Sequence, residues 1–303
     1  MKRKTTLSFL LVLCANFGYS QSDTIVVTEV TTVEEITEEP LLSGSWVSTR
    51  IINGHSPTTL AKGELQFIIQ HRFGDMAGGA GGVQQWFGLD NATDIRLAFE
   101  YGLTDNWMIG LGRSRGTGRP YHALVDGFTK YRFLNEAKGA PFSMAVMGLT
   151  TWTYAKSSPD ATALQYYGTF ADRLAYCAQV NLAKQITKRF TVALNPTFVY
   201  RNYVAYNDVN ALFALGGALK YGITKQMGIV AEYYQTLDPK GTRQNNYPSL
   251  GIGFEWVTFG HTFTVNVTNS KGFTETQFIP YTFENWSRGQ FRLGFSITRS
   301  FSW

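Results

Sequence analysis

The sequence predicts an all-β protein, a transmembrane up-and-down antiparallel β-barrel of about 12 strands. Three observations predict it: segments of about ten residues that alternate apolar and polar side chains, connections that alternate between short and long, and a last strand that ends on an aromatic residue. A period of two places the apolar side chains on one face of a strand and the polar ones on the other. Such segments, separated by turn residues, are typical of barrels that span a membrane.

The alternation recurs along the whole chain after about residue 60. A clear example has Ile95, Leu97 and Phe99 on one parity, and Arg96 and Glu100 on the other. Strands are expected near residues 62–73, 94–103, 107–114, 122–133, 141–153, 172–184, 189–201, 210–221, 227–236, 248–257, 261–269 and 289–302.

The connections provide a second, independent signal. Short connections with turn-forming residues follow the second, fourth, sixth, eighth and tenth strands, and mostly longer connections lie between them, such as 74–93, 154–171, 237–247 and 270–288. Short turns on one side and long loops on the other are typical of outer-membrane barrels, whose short turns face the periplasm. An even strand count then places both termini in the periplasm, and we expect the barrel in the outer membrane of a Gram-negative cell.

The last strand has the form expected of a closing strand. One parity is apolar apart from Arg299, which lies four residues from the end, and the other parity is polar or small. The apolar set is Phe291, Leu293, Phe295, Ile297, Phe301 and the final residue Trp303. We expect lipid around this face and recognition of the terminal aromatic by the barrel insertion machinery. Because lipid offers no hydrogen bonds to a sheet edge, strands in a membrane have to close on themselves.

The beginning of the chain differs from the rest. Residues 1–20 are expected to be a signal peptide, since Lys2, Arg3 and Lys4 precede the apolar run 7–13 and small residues precede Gln21. Cys14 raises a lipoprotein alternative, which the large Leu13 before it disfavours. Residues 21–58 are expected to be an acidic periplasmic tail and linker, either solvated or docking a periplasmic partner through residues 21–45, and residues 59–303 the barrel.

Composition argues against several function classes. Cleavage of the signal peptide would remove Lys2, Arg3 and Lys4 and lower the formal net charge from +5 to +2. The small remaining positive charge gives no support for nucleic-acid binding. Cleavage of the signal peptide would also remove Cys14 and leave Cys177 as the remaining cysteine. The four histidines do not lie at the short spacings from one another or from a cysteine that are typical of metal sites. We therefore expect no bound metal, no cofactor and no enzymatic activity. The less favoured alternative is an outer-membrane hydrolase that uses His71 and Ser114, and it ranks third after the two functions given below.

A series of short motifs runs through the first third of the predicted barrel. They are His71-Arg72-Phe73-Gly74, Phe87-Gly88-Leu89-Asp90, Asp94-Ile95-Arg96, Tyr101-Gly102-Leu103-Thr104-Asp105, Gly110, Gly112-Arg113-Ser114, Asp126-Gly127 and Lys130-Tyr131-Arg132. In these motifs the chain resembles an uncharacterised outer-membrane β-barrel family of Bacteroidota, a domain of unknown function. The resemblance covers about a fifth of the chain, and the closing strand is similar in style. The resemblance implies a fold and a location, and no substrate or site residues.

The inner parity of the predicted strands carries many charges. Buried charge has to be hydrated or paired, so these side chains either line an aqueous pore or form ion pairs that fill the lumen. The first interpretation predicts a passive, porin-like channel for small polar or charged solutes, and the alternative predicts a non-conducting structural or assembly barrel that docks periplasmic partners. The candidate lumen-lining residues are Glu64, Arg72, Arg96, Glu100, Asp126, Lys130, Arg132, Arg173, Glu232, Glu255 and Arg292.

Overall fold

Twelve antiparallel strands form the body of the molecule. The computed structural model describes residues 46–302 except 93, 117–121, 164, 207, 239–242 and 244. The signal peptide, the acidic stretch 21–45 and Trp303 lie outside the described residues. The strands are β1 (Leu65–Arg72), β2 (Asp94–Thr104), β3 (Trp107–Arg115), β4 (Ala123–Leu134), β5 (Ser143–Thr153), β6 (Leu174–Thr187), β7 (Phe190–Arg201), β8 (Ala211–Gly222), β9 (Met227–Leu237), β10 (Ser249–Thr258), β11 (His261–Thr268) and β12 (Arg292–Phe301).

Each strand pairs with its neighbour in sequence, and the sheet closes on itself. β1 pairs with β12 along its whole length, from Leu65 opposite Phe301 to Arg72 opposite Gly294. The predicted fold class, a closed antiparallel barrel of 12 strands, is confirmed. Helical structure is confined to the single turn α1 (Glu275–Phe278) and four short 3-10 turns in the described residues. Among those residues, no helix has the length and apolar character needed to cross a bilayer.

The predicted alternation is visible in side-chain exposure. On β3 the side chains of Trp107, Ile109 and Leu111 point outward and are exposed, whereas Met108 and Ser114 point inward and are buried. The outer surface is therefore a band of apolar side chains of the kind that hydrocarbon accommodates. Phe254 of β10, 39% exposed, belongs to this band.

Threonine side chains build three of the short turns in the same way. Thr104 Oγ1 accepts hydrogen bonds from the backbone N–H groups two and three residues later, at 3.3 and 3.0 Å. Thr187 does the same at the β6–β7 turn and Thr224 at the β8–β9 turn. A hydroxyl that bonds the following backbone stabilises a tight turn. These turns define the short-turn end of the barrel, and the opposite end is called the long-loop end.

Proline interrupts one strand pair. Pro196 lies within β7, and the β6–β7 pairing stops between Gln179–Thr197 and Leu182–Leu194. Proline has no N–H to donate, so a gap in the ladder is the expected consequence. The two polar side-chain atoms of Asn181, which lies in this gap, are buried without a hydrogen-bond partner in the described protein.

The interior of the barrel is occupied from both ends. Residues 46–60, named the N-terminal plug, enter among the inward-facing side chains and are almost entirely buried. Residues 269–291, named the inward-folded loop, connect β11 to β12 and bury α1. Residues 46–58 were expected to be part of a periplasmic linker. The structure places them inside the barrel, because their polar groups find partners on its inner wall.

Candidate functional site

The tip of the N-terminal plug is a tight hairpin held by one carboxylate. Arg50 and His55 form an isolated antiparallel bridge, and Ile51 N–H donates to Gly54 O at 2.9 Å. Glu232 of β9 accepts from the backbone N–H groups of Ile52, Asn53 and Gly54 at 2.9–3.2 Å. A buried carboxylate that accepts several backbone N–H groups forms charge-assisted hydrogen bonds, which are the stronger kind. Glu232 is therefore the main anchor of the hairpin tip.

The outer part of the plug packs on an apolar patch at the short-turn end. Trp46, Ile51 and Ile52 form a buried cluster with small or branched side chains of the barrel wall, which are Ala183, Ala193, Ala218 and Val230. Thr58 Oγ1 donates to Trp46 O at 2.7 Å and so ties the two arms of the plug together. The small wall residues leave the space that the plug fills.

Three further charges of the inner wall contact the plug. Lys130 Nζ donates to the backbone oxygens of Thr49 and Ser56, each at 3.1 Å. Glu100 accepts from Thr49 Oγ1 at 2.6 Å, and Glu255 accepts from Ser48 Oγ at 3.2 Å while pairing with Lys220. Candidate lumen-lining side chains thus bind the segment that lies inside the lumen.

The inward-folded loop also packs inside the lumen. Phe273, Phe278 and Ile279 are buried, and Phe278 and Ile279 join an apolar cluster inside the barrel with inward-facing residues such as Phe128 and Tyr234. Thr276 contacts Thr151 of β5 through their hydroxyl groups at 3.0 Å. The lumen therefore contains an apolar core that the alternating pattern of the strands did not predict.

Arg72 joins both inserts to the wall. Its guanidinium donates to Ser270 O at 2.8 Å and to Gly272 O in the inward-folded loop, and to Asn53 Oδ1 in the plug. The same group lies 4.6 Å from the ring centre of Phe273. Loss of this one side chain would affect both inserts.

The two inserts meet in the middle of the barrel. His55 Nδ1 lies 2.9 Å from Glu275 Oε1, and Arg50 donates to Phe273 O at 3.2 Å. Burial holds the pKa of His55 well below its usual value, and the nearby Arg50 and Lys130 lower it further. Burial also raises the pKa of Glu275. Both shifts favour a pair of neutral groups that share one hydrogen bond.

One ion pair of the inner wall involves neither insert. Arg96 donates to both carboxylate oxygens of Asp126, at 3.0 and 2.6 Å, and to Gln70 Oε1 at 2.9 Å. All of these side chains are buried. Bidentate geometry of this kind fixes both partners and leaves neither group free to interact with a passing ion.

The candidate lumen-lining residues fall into two groups. Three lie near the barrel ends and are only partly buried: Glu64, Arg132 and Arg173. The others are buried inside the barrel, namely Arg72, Arg96, Glu100, Asp126, Lys130, Glu232, Glu255 and Arg292. Arg292 bonds to Phe73 O and Glu284 near the long-loop end. That these residues line a conducting pore remains a prediction.

Several buried polar atoms have no hydrogen-bond partner within the described protein. They include Oε1 of Gln179, Oδ1 of Asn195, Nε2 of His55 and Oε2 of Glu275. An unsatisfied buried polar group costs about 1–3 kcal/mol, and water is its usual partner. The lumen around the inserts is therefore suited to hold water.

Sequence reasoning missed the residues of the plug, and one signal could have found them. The dipeptide Asn53-Gly54 follows two isoleucines and is a strong marker of a tight hairpin turn. A hairpin followed closely by the first barrel strand would have suggested an insert. Glu275 had no comparable signal, because the buried run 274–277 is polar and without periodicity.

Comparison with known proteins identifies a family. The sequence profile of a family described as "Membrane bound beta barrel domain (DUF5777)" matches residues 46–301. The chain belongs to this family. The match begins at Trp46, so it includes the plug as well as all twelve strands. No curated protein sequence matches the chain.

Solved structures similar to this family member are outer-membrane proteins. The KdgM porin is 11% identical, with a TM-score of 0.46 over 78% of this chain and 99% of that one. An outer membrane channel from Pseudomonas putida F1 is 13% identical, with a TM-score of 0.46 over 80% and 97% of the two chains. The outer membrane protein Omp33 of Acinetobacter baumannii is 8% identical, with a TM-score of 0.42 over 78% and 98%.

The alternative of a Ser–His hydrolase finds no support in the placement of its two residues. His71 faces outward from β1 and stacks on Phe295, with ring centres 5.4 Å apart. Ser114 faces inward from β3 and is buried. The two side chains therefore lie on opposite faces of the sheet. In the described part of the chain, no group of three or more His, Cys, Asp or Glu residues is placed to hold a metal ion.

Proposed function

We propose that this membrane-bound β-barrel is a gated outer-membrane channel for small polar solutes, with the N-terminal plug as its gate. One observation carries the proposal. The plug pairs with no barrel strand, and β1 closes onto β12 without it. The plug could therefore leave the lumen while every strand pair of the barrel stays intact.

The chemistry of the plug contacts supports a gate rather than a permanent core. Glu100, Lys130 and Glu232 bind the plug through hydrogen bonds that water could replace. After withdrawal of the plug, these side chains would face water instead of an apolar cavity. Because charges of both signs would then line the lumen, we expect it to admit small polar solutes with little preference for anions or cations.

We place the short-turn end in the periplasm. Trp46 lies at that end, where it packs against Ala183, Ala193 and Ala218. A periplasmic partner that binds residues 21–45 would be in a position to withdraw the plug.

A second candidate function is a non-conducting barrel that serves assembly or structure. The observation that favours it is the inward-folded loop, which also packs inside the lumen and buries Phe278 and Ile279 there. Withdrawal of the plug alone opens a path only if this loop also moves. The two functions differ in one measurable property, the conductance of the barrel without its plug.

The test is conductance in planar bilayers. We expect wild-type protein to be closed with rare openings. A variant lacking residues 46–58 should conduct steadily, because the inward-folded loop loses its contacts with His55 and Arg50 and then moves aside. A heat-modifiability gel on the same samples reports whether the barrel is folded. A folded deletion variant that stays silent would reject the channel in favour of the non-conducting barrel.

A point variant repeats the test with the plug present. A Cβ atom on Gly54 would overlap the hydroxyl and ring of Tyr234, so Gly54→Val should push the hairpin tip out of place and increase openings. Gly217→Val is the matched control, since a Cβ there meets only Ala193 O at 3.9 Å. Equal channel behaviour of the two variants would argue against the plug as a gate.

A further inference from the structure

We infer that the outer face of β3 binds the phosphate group of a membrane lipid through Arg113 and Arg115. The exposed side chains of this strand are Trp107, Ile109 and Leu111, followed on the same face by the two arginines. The lipid-facing side of this strand therefore changes from apolar to positively charged between Leu111 and Arg113. The inference concerns the outside of the barrel and does not depend on the proposed channel.

The position of the arginines fits the boundary of the membrane. They lie six and eight residues after Trp107, at the long-loop end. A rise of about 3.3 Å per residue and a strand tilt of about 40° place them roughly 15 and 20 Å above Trp107 along the barrel axis. The apolar band of such barrels is about 25 Å tall, and a long arginine side chain extends toward its edge. The charged group of Arg115 therefore reaches the headgroup level, and that of Arg113 extends toward it.

Aromatic residues around Arg113 indicate the same level. Its guanidinium lies 5.2 Å from the ring centre of Tyr154, and the Tyr154 hydroxyl donates to Ser114 O at 3.3 Å. Val125 of β4 lies opposite Arg113, and Trp152 of β5 lies opposite Val125. Tyrosine and tryptophan are enriched where hydrocarbon meets headgroups. The Tyr154 ring also holds the Arg113 side chain in place.

No carboxylate neutralises the two arginines in the described part of the chain. Neither forms a salt bridge there, and the sequence contains no Asp or Glu between Asp105 and Asp126. The arginines of the inner wall behave differently, as Arg96 does with Asp126. Guanidinium groups bind phosphate with two parallel hydrogen bonds, and a lipid phosphate is the anion present at this depth.

The spacing suits one or two phosphate groups. Arg113 and Arg115 are two residues apart on the same face, so their Cα atoms are separated by about 6.6 Å along the strand. Two long side chains at that separation can converge on one phosphate or hold two that are close together. We therefore expect preference for a lipid with an exposed phosphate monoester over a zwitterionic lipid.

Native mass spectrometry of the full chain in detergent tests the inference. With phosphatidic acid as the probe, we expect Arg113→Gln with Arg115→Gln to weaken lipid retention about tenfold or more. Arg299→Gln is the matched control, because Arg299 is an exposed outward arginine at the short-turn end that contacts His261 and Phe301; it should retain lipid as the wild type does.

A second measurement uses only the wild-type chain and does not depend on the folding of a variant. We expect phosphatidic acid to be retained more strongly than phosphatidylcholine, and inorganic phosphate at the same concentration not to displace it. Equal retention of the two lipids, displacement by inorganic phosphate, or full retention by the folded double variant would each overturn the inference.

Discussion

His55 of the N-terminal plug and Glu275 of the inward-folded loop are joined by a 2.9 Å contact between Nδ1 and Oε1, fully buried in the middle of the barrel. The contact connects a segment that enters from one end with a segment that enters from the other. Any movement of either segment out of the lumen has to break it. The pair is therefore a place where a change of protonation alters the closed state.

Acid should weaken the plug through His55. Its pKa in the folded state is depressed, so the stability that comes from neutral His55 is present above the unfolded pKa of about 6.5 and is lost as the pH falls below it. Glu275, whose pKa is raised, acts with the opposite sign: its contribution is present at low pH and is lost as the pH rises. The two contributions have to be separated by mutation.

The separation uses His55→Asn, which keeps a donor near Glu275 and removes the titration. Between pH 7 and 5 we expect amide exchange of residues 50–56, corrected for its intrinsic pH dependence, to accelerate more in the wild type than in His55→Asn. Glu275→Gln should keep the acid effect. The same pH profile in wild type and His55→Asn would rule out His55 as the source.

Glu232 should control how firmly the plug is seated. Glu232→Gln replaces a charged acceptor of three backbone N–H groups by a neutral one, which should weaken the hairpin contact by about 1–3 kcal/mol. Amide exchange of residues 52–54 should accelerate, with more frequent openings in bilayers. Glu64→Gln is the control, since the Glu64 carboxylate is partly exposed and accepts from Ala61 N, outside the hairpin tip. Unchanged exchange at residues 52–54 would contradict the anchoring role.

The barrel could be predicted from the sequence because each strand shows the apolar and polar alternation on its own, without reference to its neighbours. The outer parity, as in Ile95, Leu97 and Phe99, faces lipid regardless of what happens inside, so local alternation and turn residues were enough to place all twelve strands. Eight of the candidate charges, from Arg72 to Arg292, are buried inside the barrel for the same reason. Their partners were not predictable, because the contact of Glu232 with Asn53 joins residues 179 positions apart and depends on the closed sheet and the path of the plug.

The buried pair of Arg96 and Asp126 should be structural. Asp126→Asn leaves the guanidinium buried beside a neutral partner, and breaking a buried pair typically costs about 3–5 kcal/mol. Replacing both residues, Arg96→Met with Asp126→Leu, should cost much less than the two single changes together, since no unpaired charge remains. Urea unfolding in detergent micelles, followed by tryptophan fluorescence, measures all three variants. Additive losses would mean that the two residues act independently.

The outward orientation of Phe254 in β10 can be tested by placing an arginine at two positions that lie at different depths in the membrane. Phe254 lies on the lipid face within the strand, opposite Ile229 of β9 and Val265 of β11, so an arginine there would sit in hydrocarbon. Phe254→Arg should lower the free energy of unfolding into urea by about 2–4 kcal/mol. Phe259 lies in the β10–β11 turn and is 100% exposed, so Phe259→Arg should cost about 0–1 kcal/mol. The two variants differ from the wild type by the same atoms, so depth is the variable between them. Both free energies of unfolding are measured with lipid vesicles as the host. Equal losses would mean that the face carrying Phe254 does not lie in hydrocarbon. The membrane position inferred for Arg113 and Arg115 would then be wrong as well.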